Sequence, residues 1–407
     1  MKKIKLGIIG MGKRGTALIK TIAACKDADI IAVCDPYSDR VENAVAEAKK
    51  RTGKLPKGYT EYEKLLADSD VNTVFISCAW EGHSEVAIDS MKAKKITAME
   101  VGGAYTIEEC WELVKTYEET KTAFMFMENC CYDIFELQST ALIRAGKLGT
   151  VVHCHGAYSH DLRDEILGGN IRRHYRLRNY INRNCENYPT HELGPIAKIL
   201  NINRGNRMLS LVSIASKSEG LKAFSQSDKC PDRSLVGTTF KQGDIVNTII
   251  TCAGGETISL TLDTTLPKYY SREFTVRGTN GLVNQEAEMI AIEGECDTHN
   301  YWENCRNTEK YSDYIPDVWK TITEEAKEAG HGGMDYIEFK EFFKAILEGR
   351  EMPIDVYDAA SWMCITALSE ASISQGGLVQ NIPDFTSGKW LVRKPVDVIP
   401  LPNPESK

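Results

Sequence analysis

An α/β chain in two parts is what this sequence predicts: a doubly wound parallel sheet first, then an α+β domain built on an open, mostly antiparallel sheet. Three observations predict it. From residue 3 to 127, short apolar runs alternate with helical patterns without a break, which is how strand–helix–strand units and parallel pairing read in a sequence. The first run opens directly into Gly10-Met11-Gly12-x-x-Gly15. Beyond about residue 130 the alternation gives way to longer strands, a polar arginine-rich stretch and late helices. We therefore divide the chain at 1–130 and 131–407, the C-terminal helices having the option of returning towards the first part.

In order, residues 3–9 read as a strand, followed by a helix carrying Ala17, Leu18 and Ile22 on one face, then a strand over 30–34 that ends on Asp35. Each glycine of the motif has a physical task. Gly10 permits the tight strand-to-helix turn, Gly12 removes the Cβ that would obstruct a pyrophosphate, and Gly15 lets helix and strand approach. The amides at the helix start, with the helix dipole behind them, suit phosphate. Asp35 lies twenty residues past Gly15, where a carboxylate accepts hydrogen bonds from ribose hydroxyls. A 2′-phosphate there would meet like charge, which favours NAD over NADP unless Arg40 swings in. The context makes this a Rossmann-type NAD domain rather than an incidental glycine turn. Helices follow at 37–51 and 62–67, a strand at 73–77, a loop Cys78-Ala79-Trp80-Glu81-Gly82-His83, a helix at 85–94, a strand at 96–99 ending on Glu100, a helix at 106–120 and a strand at 122–127 stopping at Glu128-Asn129. Ligands of such sheets lie at the carboxyl ends of the strands. One crevice should therefore collect Gly10, Met11, Gly12, Gly15, Asp35, Trp80, His83, Glu100, Val101, Glu128 and Asn129.

The second part starts with a helix over 133–145 and an alternating strand over 150–158. The arginine-rich segment 160–188 precedes several strands between 209 and 293, among them 245–252, 257–262 and a hairpin about Asn280–Gly281. Helices return at 336–348 and 357–375. Bulk properties narrow the partners. Of 407 residues 42% are hydrophobic, enough for full cores, and the net charge of −8 with no long basic block argues against nucleic acid or an anionic membrane. No apolar run approaches the ~20 residues of a membrane span. Thirteen cysteines without regular spacing suggest thiols in a reducing compartment rather than a disulfide framework, hence a cytoplasmic protein.

Several motifs carry a resemblance. The glycine-rich nucleotide domain followed by such a sheet resembles the Gfo/Idh/MocA oxidoreductase family, and Met99-Glu100-Val101, Glu128-Asn129-Cys130-Cys131-Tyr132, Gly156-Ala157-Tyr158-Ser159-His160-Asp161, Tyr188-Pro189-Thr190-His191, Leu200-Asn-Ile-Asn-Arg-Gly205, Gly330-His331-Gly-Gly-Met-Asp335 and Asp355-Val-Tyr-Asp-Ala-Ala360 resemble one subgroup of it. That subgroup is glycoside hydrolase family 109, the NAD-dependent α-N-acetylgalactosaminidases. The resemblance spans about residues 3–375. It implies transient oxidation of the sugar C3, elimination across C1–C2, addition of water and re-reduction, with NAD unchanged at the end. Most sugar dehydrogenases of the wider family carry Glu-Lys-Pro where this chain has Glu100-Val101-Gly102. The missing lysine speaks against a plain sugar or cyclitol dehydrogenase, which is the alternative reading; a non-catalytic NAD- and sugar-binding protein is another. The chain also departs from the subgroup at Gly102–Gly103, Glu192 and Tyr175, where proline, glycine and tryptophan are usual.

For the chemistry, imidazole titrates near neutrality and both accepts and returns a proton, which makes His191 the first catalytic candidate and Tyr158 the second. The alternative for His191 is a histidine satisfied by backbone at a helix start; for Tyr158, an aromatic at a sheet edge. The resemblance implies sugar contacts for Tyr188, Arg176, Tyr270 and Glu128. Arg176 is one arginine among several in its segment, and whether Tyr270 or Tyr269 points inward depends on register. Trp80 and His83 are expected at the cofactor, with loop anchor and helix cap as the plainer reading. His153 and His155 alternate on one strand with no third ligand at a recognised spacing, so no metal is expected. A carbohydrate substrate and a homo-oligomer formed through the C-terminal sheet complete the expectation.

Overall fold

The computed structural model describes residues 3–296, 305–306 and 308–404. They form two compact units, each taken by itself below. The first comprises the residues up to Val101, Glu108–Asp133 and Asp317–Ala360. Its sheet has six parallel strands, β1 (Ile4–Ile9), β2 (Ala28–Cys34), β3 (Lys57–Tyr59), β4 (Thr73–Ile76), β5 (Ile96–Glu100) and β6 (Phe124–Met127), in the order β3-β2-β1-β4-β5-β6. Helices α1 (Lys13–Cys25), α2 (Ser38–Thr52), α3 (Tyr62–Ala67), α4 (Trp80–Lys92) and α5 (Ile107–Thr120) alternate with them. The central strands are apolar throughout because both faces are covered: Leu6, Ile8, Val74, Phe75 and Ile76 are wholly buried. Registers Ile9↔Cys34, Ile9↔Ile76 and Ile76↔Met99 align the strand ends, so Gly10, Asp35, Ser77 and Glu100 follow at one edge of the sheet.

Two local expectations are corrected. Strand β3 was not foreseen: three residues at the sheet edge, two of them exposed, leave no apolar pattern. Helix α4 starts at Trp80 rather than 85, so Trp80 and His83 belong to its first turn, not to a loop. The later segment supplies a further layer to this unit. The helix Met334–Glu348 packs on α1, with Phe339 5.1 Å (ring centroids) from Phe75, and the Ile354 carbonyl accepts from the Phe126 amide at 3.0 Å, occupying a backbone donor of the edge strand β6.

The second unit comprises Gly102–Ile107, Ile134–Pro316 and Ser361–Lys407. After α6 (Ile134–Arg144) comes β7 (Val151–Ser159), then three short helices, α7 (Arg163–Leu167), α8 (Gly169–Arg172) and α9 (Arg176–Asn182), and α10 (Thr190–Ile199). Strands β8 (Met208–Ala215), β9 (Ile245–Cys252), β10 (Thr257–Asp263), β11 (Thr275–Gly278), β12 (Gly281–Asn284), β13 (Met289–Ile292) and β14 (Gln380–Asn381) complete an eight-stranded sheet in the order β13-β12-β11-β7-β10-β9-β8-β14. Every pair is antiparallel except β7–β10, the mostly antiparallel sheet expected. Helix α10 lies against β7, and Gly156 is the reason it can: a Cβ there would stand 2.8 Å from the Glu192 Cβ and 3.0 Å from the Glu192 carbonyl oxygen. Cys296 and Cys305 form a disulfide, against the expectation of thiols only; the other eleven cysteines carry none. Among the described residues no helix is long and apolar enough to cross a membrane.

Candidate functional site

The first unit brings the cofactor candidates together at the carboxyl end of its sheet. Gly10 has φ +95°, and a Cβ there would stand 2.5 Å from the Ser77 carbonyl; at Gly15 a Cβ would overlap the Gly10 carbonyl oxygen. These two glycines are structural. At Gly12 a Cβ would meet nothing closer than an Arg40 guanidinium nitrogen at 3.8 Å. Nothing in the fold itself demands glycine there, which is what a position reserved for a ligand's phosphate predicts. Asp35, nearly buried, accepts from the Met11 amide at 2.8 Å and the Tyr37 amide at 3.0 Å, which aims its remaining lone pairs. Arg40 stands 3.6 Å from Asp35 Oδ2 and lies over the Tyr37 ring, so it attends the carboxylate. Trp80 and His83 are both buried. The His83 ring bonds the Cys78 carbonyl through Nε2 at 2.9 Å, which requires Nε2–H and leaves Nδ1 an acceptor; that buried Nδ1 has no protein partner. Burial lowers the imidazole pKa to about 4, so it is neutral at physiological pH. An orphaned buried acceptor, an open Gly12 and a helix start rich in amides fit a dinucleotide.

Glu100, Val101 and Asn129 are buried at the ends of β5 and β6, and they are tied into a network that sequence reasoning did not foresee. Arg14 donates through Nε to Glu100 Oε1 at 2.8 Å and through both terminal nitrogens to Asp335 at 2.7 and 3.0 Å. Glu100 Oε2 in turn accepts from the Val101 amide at 3.2 Å. Asn129 donates to Asp335 Oδ1 at 2.7 Å, and His331 Nδ1 lies 2.9 Å from Asp335 Oδ2. Burial pushes the Asp335 carboxyl up, but the charges of Arg14 and the bond to His331 outweigh it and hold the group well below the ordinary carboxylate range. Glu128, wholly buried, caps the following turn by accepting from the Cys130 amide at 3.1 Å. Spacing could not reveal the partnership of Arg14 with Asp335, 321 residues apart.

In the second unit five of the named residues meet. Tyr158, Gly156 and Cys154 alternate onto the β7 face that α10 covers, and His191 lies in the first turn of α10. Pro189 is already helical (φ −69°, ψ −16°), so Tyr188 and His191 share a face, with ring centroids 4.7 Å apart. Tyr158 lies 4.8 Å from Tyr188 and 5.5 Å from His191. The Arg176 guanidinium lies 5.1 Å from the centroid of Tyr188 and 3.1 Å from Glu165. Tyr270, not Tyr269, turns towards this group, 6.5 Å from Tyr158; Tyr269 bonds Glu286 instead. Two contributors went unnoticed in the sequence. His160 packs edge-on to Tyr270 at 5.4 Å and is two residues beyond Tyr158, a spacing that could have found it. Arg272 donates to the Tyr270 hydroxyl at 3.0 Å and is itself held by Glu136. His153 and His155 face the other side of β7, bonded to Thr257 and Ser259 at 2.8 Å each.

Residues 132–392 match the family described as glycosyl hydrolase 109, C-terminal domain, and residues 4–127 match the oxidoreductase family with an NAD-binding Rossmann fold. The chain belongs to glycosyl hydrolase family 109. A relative from Tannerella forsythia named alpha-N-acetylgalactosaminidase is 37% identical over 415 residues, covering 96% of this chain and 88% of that one. Another of that name, from Shewanella oneidensis, is 34% identical and covers 98% and 88%. Among solved structures, levoglucosan dehydrogenase in complex with NADH and levoglucosan superposes with a TM-score of 0.69 at 18% identity, over 94% of this chain and all of that one. Scyllo-inositol dehydrogenase from Lactobacillus casei gives 0.65 at 14%, over 94% and 98%. At these identities the structural likeness is one of fold. This family 109 chain thus carries an NAD-binding Rossmann domain.

Proposed function

We propose that this chain is an NAD-dependent glycoside hydrolase that cleaves α-N-acetylgalactosaminides, with NAD held by residues 1–130 and sugar by residues 131–407. The observation that carries the reading is the ring contact of Tyr158, Tyr188 and His191, with a guanidinium beside the Tyr188 ring. Bound NAD supplies a reversible two-electron oxidant for the sugar C3 carbinol. The protein's part is proton movement. His191 takes up a ring proton and gives it back, a task suited to imidazole near neutral pH. Tyr158 is the second proton-transfer residue; the charge of Arg176 favours its phenolate, since a neighbouring cation stabilises an anion. Tyr188, Tyr270 and Arg176 orient the sugar, Tyr270 being steadied by Arg272. In the cofactor domain Asp35 takes the adenosine ribose, and Trp80, His83, Glu100, Val101 and Asn129 the remainder of the dinucleotide, while Glu128 is assigned to sugar.

The reading extends to assembly and place. Ile214 and Ile249 project from the open face of the second sheet, 63% and 48% exposed, which favours a homo-oligomer through that face, to be checked by light scattering. Eleven cysteines outside disulfides favour a reducing, cytoplasmic setting. The deciding experiment mixes the protein with an aryl N-acetylgalactosaminide in D2O and, separately, with free sugars and NAD+. Aryl release without net NADH, and deuterium at C2 of the product, is the expected result. Net NADH from free sugar would instead select a sugar or cyclitol dehydrogenase, and binding without turnover a non-catalytic protein.

A further inference from the structure

The segment Gly330–Asp335 is a strained loop held against the dinucleotide domain at unusual conformational cost. His331 has φ +38°, a region few non-glycine residues enter, and Gly332 and Gly333 follow at +66° and +110°. At Gly330 a Cβ would collide with Asp335 Oδ2, so glycine is needed for the carboxylate to come so close. Three residues of α1 pin the loop: Arg14 through Asp335, Lys20 to the Glu328 carbonyl at 3.0 Å, and Thr21 to the Ala329 carbonyl at 2.5 Å. Strain that the surroundings hold in place clusters at sites of function.

What the strain achieves is the placement of one side chain. The His331 imidazole is 56% exposed, yet it is fixed through Nδ1, which lies 2.9 Å from Asp335 Oδ2, 2.9 Å from an Arg14 nitrogen and 3.4 Å from Asn129 Nδ2. Its hydrogen bonds among the described residues run through Nδ1, and on that 56%-exposed ring Nε2 lies on the opposite side. The neighbours identify the place: Arg14 is in the first turn of α1, directly after Gly12, while Asn129 and Glu100 end β6 and β5. That is the rim of the dinucleotide crevice. Each of the three Arg14 guanidinium nitrogens donates to Glu100 or Asp335, so Arg14 serves as the bracket that joins helix, strand end and loop.

We propose that His331 is a dinucleotide-binding residue, presented to the phosphate–ribose portion of NAD by the positioning pair Arg14–Asp335, and that this clasp retains the cofactor between turnovers. The proposal rests on the NAD reading above and adds a residue and a role to it. Retention suits a reaction that returns NAD unchanged, since each escape would leave the protein without its oxidant.

The test compares full-length wild type, His331→Ala, His331→Gly and Arg14→Lys. NAD is stripped, the melting temperature of each stripped protein is recorded, and NAD is titrated back by calorimetry; retention is then read by gel filtration of the reloaded proteins. His331→Ala is expected to bind NAD about tenfold more weakly, the ordinary worth of one lost hydrogen bond to a charged group. Its melting temperature without NAD should fall only slightly, because Asp335 keeps its bonds to Arg14 and Asn129. His331→Gly, relieved of the positive φ, should melt higher than wild type while losing NAD equally. Arg14→Lys keeps the charge but not the fork, and should raise the NAD Kd while leaving the sugar KM of the NAD-saturated enzyme unchanged. Equal NAD affinity and retention in wild type and His331→Ala would overturn the clasp. Failure of the wild type itself to bind NAD would overturn the cofactor reading and the clasp with it.

Discussion

In the first unit the groups offered to a ligand are backbone amides, uncovered by Gly12 and aimed by Gly10 and α1; in the second they are side chains of residues 158, 176, 188, 191 and 270. The first arrangement is local, since a turn of six residues and one carboxylate twenty further on complete most of it. The second depends on the packing of α10 against β7, which Gly156 permits, and on the β10–β11 connection, which brings Tyr270 near. Charge is handled differently too. Both carboxylate oxygens of Asp335 are matched to donors, from Arg14, Asn129 and His331. Around Tyr158 the packing is ring against ring, with Tyr188, His191 and Tyr270. A carboxylate matched in this way fixes its neighbours in place, whereas a group of facing rings presents aromatic and phenolic surface. We read the first as a holder and the second as a reactor.

Separate substitutions in the two regions should therefore fail in different ways. His191→Ala should lower kcat by about 10²–10⁴, the usual loss when a general acid–base is removed, with NAD content per chain unchanged. Gly12→Val should do the converse. A Cβ at Gly12 has room in the protein, so the melting temperature should stay near wild type while NAD binding is abolished, read by calorimetry and by absorbance of the released cofactor. If His191→Ala lost NAD as well, the division into holder and reactor would fail.

A smaller effect sharpens the comparison within the glycine motif itself. Gly15→Ala brings a methyl into the Gly10 carbonyl, a backbone atom that cannot turn aside. Overpacking of this kind costs about 1–3 kcal/mol. Denaturant unfolding of the NAD-free protein should show that loss for Gly15→Ala and not for Gly12→Val, which would separate the glycine that shapes the turn from the glycine that admits the ligand.

How far each region could be read from the chain follows from the same contrast. Strands β1, β2 and β4–β6 and the motif between them are contiguous patterns, and they fell within one or two residues of where they were expected. Edge strand β3 has too few apolar residues to register, and the start of α4 was hidden because Gly82 and Glu81 interrupt the helical pattern between the buried Trp80 and His83. In the second unit the strand over β7 and the alternation that turns Tyr158 towards α10 were legible, but the meeting of residues 158, 176, 188, 191 and 270 was not; only family resemblance suggested it. Neither route found the bond of Arg14 to Asp335, because no local pattern encodes a contact between a first-turn arginine and a loop more than 300 residues later.

The last contrast concerns buried charge. Near the aromatic cluster, two residues before Tyr188, the Glu186 side chain is wholly buried and no side chain hydrogen-bonds its carboxylate oxygens, whereas those of Asp335 take part in four such bonds. Burial raises the Glu186 pKa to about 8, countered only in part by the Tyr188 backbone. Its folded value therefore lies above the unfolded value of about 4.5, and the sign follows. The protonated group's contribution to stability is complete below pH 4.5 and is lost as pH rises towards 8, because the unfolded chain releases the proton first. Glu186→Gln removes the titration while keeping shape and polarity. The variant should match wild type near pH 5 and exceed it by about 1–2 kcal/mol at pH 8.5, after the relaxation that softens buried-charge penalties. Parallel urea titrations at the two pH values measure this directly. Equal stability at both would mean that Glu186 reaches water or a partner in the folded protein.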